Sequence, residues 1–325
     1  DLIADHYLFA RPVRLSREAP VMVLAHERET IGAGGAANVA RNLRALGAQV
    51  QILGVAGRDA YGRELVRLLE AQGIDTTGLE LLAGWATPTK TRILAAEPRR
   101  SLQQVLRIDR EPVAPADAAV RRNVAARVRA LAGSIEALRV SDYEYGIVCD
   151  ELADAGQDLA SRGTLVVLDP RENFERFAGI SALTPNMGEL AHFANLSIAA
   201  LEDLTRLREV ANAFRERMRV RYLLVTCGNR GMALFGEGLD RDGIAVEASG
   251  SGEVTDVCGA GDTAAAVFAL SLASKLDAPT SMVLANAAAG VVCMEHGAAV
   301  CTPSQLRAAL PAAPPVYRLG RSSYA

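Results

Sequence analysis

Short apolar, strand-like runs take turns with longer segments of helical periodicity along most of this chain, and that alternation restricts the fold more than any other feature. Gln49–Val55 is followed by a helical pattern over Tyr61–Gln72. Leu138–Ser141 and Thr164–Leu168 flank a helix over Val148–Ala160, and helical spacing over Leu201–Arg217 leads into a strand at Tyr222–Thr226. Two apolar helices follow, Thr263–Lys275 and Thr280–Glu295. Strands separated by helices build a parallel sheet covered on both faces, because parallel neighbours need a long crossover. Two places break the rhythm. Pro20–His26, and Lys90–Ala96 with Leu102–Ile108, are strand-like with no helix between them, the second pair turning at Glu97–Arg100 around Pro98. A small antiparallel sheet projecting as a lid over a site, formed by about residues 6–31 and 86–112, accommodates both.

The 325 residues, 50% of them apolar, can bury the core of one large α/β domain over residues 1–310. Asp1–Asp5 reads as the end of a strand whose beginning is absent from the sequence. The stretch 311–325 is rich in Pro and Ala, then polar, and reads as a poorly ordered tail. A net charge of −3 gives no electrostatic reason for a nucleic acid or anionic membrane partner. The longest apolar runs, such as Ala264–Ala273, fall short of the roughly 20 residues of a membrane span. With no signal peptide at the start, the reading is a cytoplasmic protein. The five cysteines and four histidines are scattered, which leaves no zinc framework and points to reduced thiols. Positive charge is almost all Arg; Lys90 and Lys275 are the only lysines.

Two glycine-rich segments carry the chemistry. Asp256-Val-Cys258-Gly259-Ala260-Gly261-Asp262-Thr opens an apolar helix, so backbone amides converge where the helix dipole favours negative charge. A carboxylate there can take a proton from an attacking hydroxyl while the amides stabilise a phosphoryl group in transfer. The plainer reading has Asp262 only capping the helix. Gly32-Ala-Gly34-Gly35-Ala-Ala-Asn38 fits the degenerate dinucleotide pattern G-x-G-x-x-A. That pattern wants an apolar strand before it, and His26–Thr30 is charged; it also wants an acidic residue about 20 positions on, and Asp59 is late. A glycine pair admitting a polar ligand beside Asn38 fits better, the plain alternative being a turn with Asn38 as helix cap. No Gly-Lys dipeptide occurs, which excludes a P-loop. Taken singly, Thr184-Pro-Asn186-Met-Gly-Glu189, Thr226-Cys-Gly228-Asn-Arg-Gly231 and Asp169-Pro170 read equally as a cap, a hairpin and a turn. Arg215, Arg217, Arg219 and Arg221 read as a solvated face.

Taken in order, these segments resemble the PfkB carbohydrate kinase family. Gly34-Gly35-Ala-Ala-Asn38 is similar to its N-terminal signature and Asp256-x-x-Gly-Ala-Gly-Asp262-Thr to its C-terminal one. Asn286-Ala-Ala-Ala-Gly290 also falls where the family has a similar segment. The resemblance implies a ribokinase-like, doubly wound, mainly parallel sheet with a small β-sheet lid. It implies ATP-dependent transfer to a sugar or sugar-phosphate hydroxyl, with Asp262 as base and Gly259, Ala260 and Gly261 as anion hole. Asp5, Gly35 and Asn38 would hold substrate hydroxyls. Asn186, Glu189, Thr226, Gly228, Gly231 and Asn286 would line the nucleotide side. Glu189 would act near Mg²⁺, and Asp256 with Cys258 would match ligands of a K⁺ ion. A homodimer through the lid is a further expectation.

Within the family, the sequence resembles the heptose-7-phosphate kinases of lipopolysaccharide-core synthesis. Arg14-Leu-Ser-x-Glu-Ala-Pro, Thr89-Lys-Thr-Arg-Ile, Gln103-Gln-Val-Leu-Arg-Ile-Asp-Arg-Glu and Ser141-Asp-Tyr143 carry that resemblance. It implies phosphorylation of the anomeric hydroxyl of D-glycero-β-D-manno-heptose 7-phosphate, with Arg14, Lys90, Arg92 and Arg107 as holders of the distal phosphate. The sequence departs at Glu144-Tyr145-Gly146, where those kinases have a Lys before the Gly, and at Cys258, which replaces a Thr. Simple-sugar or nucleoside phosphorylation, or sugar-phosphate binding without transfer, are the alternatives. No nucleotidyltransferase domain is expected within this sequence.

Overall fold

The computed structural model describes residues 1–96, 102–171, 174–250, 256–295, 297–311 and 316–319. The chain opens with two long strands, Leu2–Leu15 (β1) and Met22–Gly35 (β2), then the helix Ala36–Ala45 (α1). Gln51–Gly57 (β3), Ala60–Glu70 (α2) and Asp75–Leu82 (β4) form a βαβ unit. Thr89–Ala95 (β5) and Gln103–Arg110 (β6) form the expected hairpin; its turn at Glu97–Arg100 lies outside the described residues, as does His296. Ala118–Ala130 (α3), Ala137–Ser141 (β7), Asp150–Ser161 (α4), Leu165–Asp169 (β8), Ala182–Leu183 (β9), Met187–Ala194 (α5) and Leu204–Met218 (α6) continue the α/β alternation. Tyr222–Thr226 (β10), Met232–Gly236 (β11) and Ile244–Val246 (β12) form a meander. Ala260–Ala273 (α7), Ala278–Cys293 (α8), Pro303–Ala309 (α9) and Val316–Arg318 (β13) close the chain.

The main sheet runs β13-β12-β11-β10-β9-β8-β7, parallel from β7 to β10 and antiparallel beyond. Its two faces follow from the pleat, which sends successive side chains to opposite sides. Val166, Leu168, Leu223 and Val225 pack on one side with Val128, Leu159, Leu190 and Phe214 from α3 to α6. Val167, Ala182 and Leu224 pack on the other with Phe268 and Met282 from α7 and α8. This is the doubly wound architecture, and near-continuous apolar strands such as Leu165-Val-Val-Leu are what burial on both faces requires. β3 and β4 pair in a separate parallel sheet. A cavity of about 490 Å³ lies between β3 and β7, lined by Asp1, Val39, Ile52, Leu138 and Val140 among others.

A second sheet, β2-β1-β5-β6, stands apart. β1 and β2 pair antiparallel from Leu2↔Gly35 to Leu15↔Met22, so the segment starting at Asp1 is one long strand of this sheet. Register across β1, β5 and β6 puts Asp5, Tyr7, Lys90, Arg92, Arg107 and Asp109 on one face. The tail departs from expectation: Val316–Arg318 pairs antiparallel with β12, and Leu319 beside it is buried. Adding an edge strand satisfies backbone groups that composition alone does not reveal. Among the described residues, no helix is long and apolar enough to cross a membrane.

Candidate active site

The start of α7 is held by Gly259 in the left-handed conformation, φ 76°, with no side-chain cap. First-turn amides of a helix have no intrahelical acceptor, and here they remain open toward a ligand. Asp262 lies in that first turn but does not cap it. Its Oδ1 accepts a hydrogen bond from the Tyr143 hydroxyl at 2.6 Å, and its Oδ2 accepts one from Asn38 Nδ2 at 3.3 Å. The plain capping reading of Asp262 is therefore not what the structure adopts. Nor does Asn38 cap α1: that helix starts after Gly35, and Asn38 sits inside it, fully buried and aimed at Asp262. Burial pushes the Asp262 carboxyl up to about 6, with Asp169 adding to the effect and the Tyr143 and Asn38 hydrogen bonds opposing it.

The glycine pair at the end of β2 is needed for close approach. A Cβ at Gly34 would lie 2.4 Å from Asp5 Oδ2, and one at Gly35 would lie 3.2 Å from the Tyr143 ring, with φ at +56°. A Cβ at Gly259 would lie 2.5 Å from Asn38 Nδ2. Asp5, Gly34, Asn38, Gly259 and Asp262 thus form one contiguous wall. Because Gly32–Gly35 ends an antiparallel strand of the small sheet, the parallel βαβ setting of a dinucleotide-binding turn is missing.

The small sheet adds cations to this wall. Arg92 Nη1 bonds Asp5 Oδ1 at 2.6 Å, both side chains being buried, and the guanidinium lies over the Tyr7 ring. Burial works against the Arg92 charge, but Asp5 more than offsets it. Lys90 Nζ lies 5.2 Å from the centroid of the Tyr143 ring, its own pKa lowered first by burial and then by Arg107. Arg107 is bidentate to Asp109 at the exposed rim. Arg14 is not brought to the site. It lies nine residues beyond Asp5 along β1, on the order of 30 Å away at the strand rise, and bonds the Leu15 carbonyl. Tyr145, at the position of the absent lysine, is partly buried beside Glu111, Asp109 and Arg107.

On the other side, Asn186 is the cap of α5 in a reciprocal capping box with Glu189, and it faces Thr226 at the end of β10. Glu189 also pairs with Arg171 at 3.0 Å, and burial together with Asp169 pushes its carboxyl up to about 7. Gly228 and Gly231 bracket the β10–β11 turn, and a Cβ at Gly231 would strike the Val246 carbonyl. Asn286 in α8 donates to the Glu247 carbonyl at 2.8 Å. These residues line the carboxyl ends of the parallel strands, where open α/β sheets take ligands. Asp256 accepts the amides of Cys258 and Gly297; burial opposes its charge, but these bonds hold the carboxyl below the usual range. An ionised carboxylate beside the glycine turn suits a monovalent cation. Among the described residues no three His, Cys, Asp or Glu gather as a metal cluster. Glu189 is the carboxylate on this side that would stand beside Mg²⁺ held through nucleotide phosphates.

Tyr143 and Arg171 also stand at this site, beside Asp262 and Glu189. Tyr143 was visible only inside Ser141-Asp-Tyr143, and Arg171 only as the residue after Asp169-Pro170. Their contacts join segments far apart in sequence, which spacing cannot report.

A family model described as pfkB family carbohydrate kinase matches residues 4–305. The bifunctional protein HldE of Pelobacter propionicus is 35% identical over 308 residues, 94% of this chain and 61% of that protein. Its counterpart in Magnetococcus marinus is 37% identical over 315 residues, 95% of this chain and 62% of that protein. This chain thus spans about three fifths of the length of these relatives. Among solved structures, phosphofructokinase-2 from Escherichia coli in complex with substrates and products superimposes with a TM-score of 0.77 at 18% identity, covering 95% of each chain. Arabidopsis thaliana ribokinase with ribose and ATP gives a TM-score of 0.68 at 20% identity, over 95% of this chain and 96% of that one. Those two likenesses establish a ribokinase-like fold, and the family match shows that the chain belongs to the pfkB family of carbohydrate kinases, which are phosphotransferases.

Proposed function

We propose that this protein transfers the γ-phosphoryl group of ATP to the anomeric hydroxyl of D-glycero-β-D-manno-heptose 7-phosphate. The observation that carries the reading is Asp262, buried at an uncapped helix start and aimed away from its own helix. Its carboxylate takes the proton of the acceptor hydroxyl, the acceptor oxygen forms a bond to the γ-phosphorus, and the bond to the ADP oxygen breaks. Amides of Gly259, Ala260 and Gly261 face the charge on the phosphoryl oxygens. A carboxylate near 6 is ionised at neutral pH yet basic enough to hold the proton. Mg²⁺ would neutralise phosphate charge beside Glu189, and K⁺ beside Asp256 would steady the glycine turn.

Support for a phosphorylated sugar comes from Lys90, a half-buried cation on the lid face beside the Tyr143 ring. Arg92 is committed to Asp5 and Arg107 to Asp109, so Lys90 is the better holder of a distal phosphate. A solved neighbour, the Escherichia coli phosphofructokinase-2, has been seen with fructose-6-phosphate. Val13, Leu15, Val21, Met22, Val105, Leu106 and Ile108 leave the small sheet with an exposed apolar surface, which supports pairing of two lids in a homodimer.

The test is ADP release with Mg-ATP and K⁺ over a panel of sugars, sugar phosphates and nucleosides, with Asp262→Asn alongside. Turnover of the heptose phosphate, absent in the variant, supports the full reading. Turnover of another acceptor alone keeps the chemistry and discards the substrate. A folded, ATP-binding protein silent on every compound would make it a binder of sugar phosphates rather than a kinase.

A further inference from the structure

The two hydrogen bonds on Asp262 are unequal, and the shorter comes from outside both glycine-rich segments. Tyr143 Oη is 2.6 Å from Oδ1, whereas Asn38 Nδ2 is 3.3 Å from Oδ2. Three further contacts fix Tyr143. Its amide donates to the Asp1 carboxylate at 2.8 Å, its ring packs over the Gly35 turn, and two cations lie near that ring. Lys90 Nζ from β5 is 5.2 Å from the ring centroid and the Arg171 guanidinium, just after β8, is 5.1 Å from it. Lys90 belongs to the small sheet and Arg171 to the Glu189 side, so one phenol touches the base and a cation from each ligand half.

We propose that Tyr143 is a positioning residue for phosphoryl transfer: its hydroxyl fixes one oxygen of Asp262 and leaves the other for the acceptor hydroxyl, while its ring ties that orientation to Lys90 and Arg171. The inference rests on Asp262 as base and not on the identity of the sugar. Cation–π contacts survive in phenylalanine, whereas the hydrogen bond does not, so Tyr143→Phe isolates the hydroxyl. The groups that face Asp262 are Asp169 at the end of β8, Arg139 in β7, Asn38 in α1, Tyr143 and Asp1. Without the phenol, burial and Asp169 push the carboxyl higher, against Asn38 and Arg139.

The experiment compares wild type, Tyr143→Phe, Asn38→Ala and Asp262→Asn, using Mg-ATP and D-glycero-D-manno-heptose 7-phosphate. In Tyr143→Phe, kcat falls roughly 10- to 100-fold, the scale of a hydrogen bond to a charged group, while KM for ATP stays within about 2-fold. The acid limb of kcat moves up by about one pH unit. A second readout needs no substrate: the Asp262 carboxyl titration by ¹³C NMR, assigned by its loss in Asp262→Asn, moves the same way. An unchanged carboxyl titration overturns the proposal, even if kcat drops, because it marks a merely structural role. If wild type ignores the heptose phosphate, the substrate reading fails, and the carboxyl titration still decides this one.

Discussion

The Asp5 carboxylate and the Arg92 guanidinium form a buried ion pair, 2.6 Å apart on the neighbouring strands β1 and β5, and so join the lid sheet to the glycine wall of the site. Taking one partner away leaves the other charge buried and unpaired. Arg92→Ala should cost roughly 3–5 kcal/mol of stability. Arg92→Ala combined with Asp5→Asn should recover a large part of that loss, without recovering acceptor binding. Denaturant melts of the single and double variants check this; equal stability of the two would mean that the pair is solvated and carries little.

The pH dependence follows from Asp262. Its carboxyl is raised by burial from the ordinary range to about 6, so the ionised base is lost as pH falls through that value. Turnover should therefore drop tenfold per unit below about pH 6, while ATP binding stays nearly constant. For stability the sign is opposite to that of a salt-bridged carboxylate. The ionised form is disfavoured in the fold, so a cost on the order of 3 kcal/mol is present above the folded value and fades as the pH falls below it. Asp262→Asn should abolish turnover and gain melting temperature at pH 8 more than at pH 5. A variant that retained turnover would remove the base assignment.

Lys90 makes a prediction about the acceptor. Lys90→Ala should raise KM for a phosphorylated sugar at least about tenfold, the loss of one charge-assisted contact, and leave KM for ATP nearly unchanged. Equal effects on both substrates would detach Lys90 from the distal phosphate.

Gly259→Ala tests the glycine turn. The new Cβ meets Asn38 Nδ2 at 2.5 Å in a left-handed conformation, so the turn or Asn38 must move. Turnover should fall by about two orders of magnitude, in line with loss of an anion-hole donor, with only about 1–2 kcal/mol lost in stability. Gly261, whose Cβ position meets nothing within 4 Å, is the control: Gly261→Ala should fold as wild type does.

The exposed apolar residues of the lid give the assembly test. Val105→Lys with Ile108→Lys should turn a dimer into a monomer in sedimentation velocity, with the melting curve of the main domain little changed. A wild-type chain that sediments as a monomer would end the lid-dimer reading.

Much of this architecture was legible before any coordinates. Leu165-Val-Val-Leu and Tyr222-Leu-Leu-Val are central strands because only burial on both faces tolerates unbroken apolar runs. The β5–β6 pair was legible from strands with no helix between them. The strand at Val316–Arg318 was not, because an edge strand needs little hydrophobicity and is defined by its partner Ile244–Val246. Arg14, Lys90, Arg92 and Arg107 looked alike in sequence; register and partners separated them.

The sequence by itself determined the alternation of elements, the two glycine-rich segments and a carboxylate at the head of an apolar helix, since these depend on local spacing and conformational freedom. Only the tertiary structure decided which oxygen of Asp262 is held, and that Tyr143 holds it. It also decided that Arg92 is spent on Asp5 and that Lys90 and Arg171 meet across one ring. Those relations connect residues separated by 28 to 224 positions. Chain order carries no distance across such gaps; the packing of the sheet and its lid supplies it.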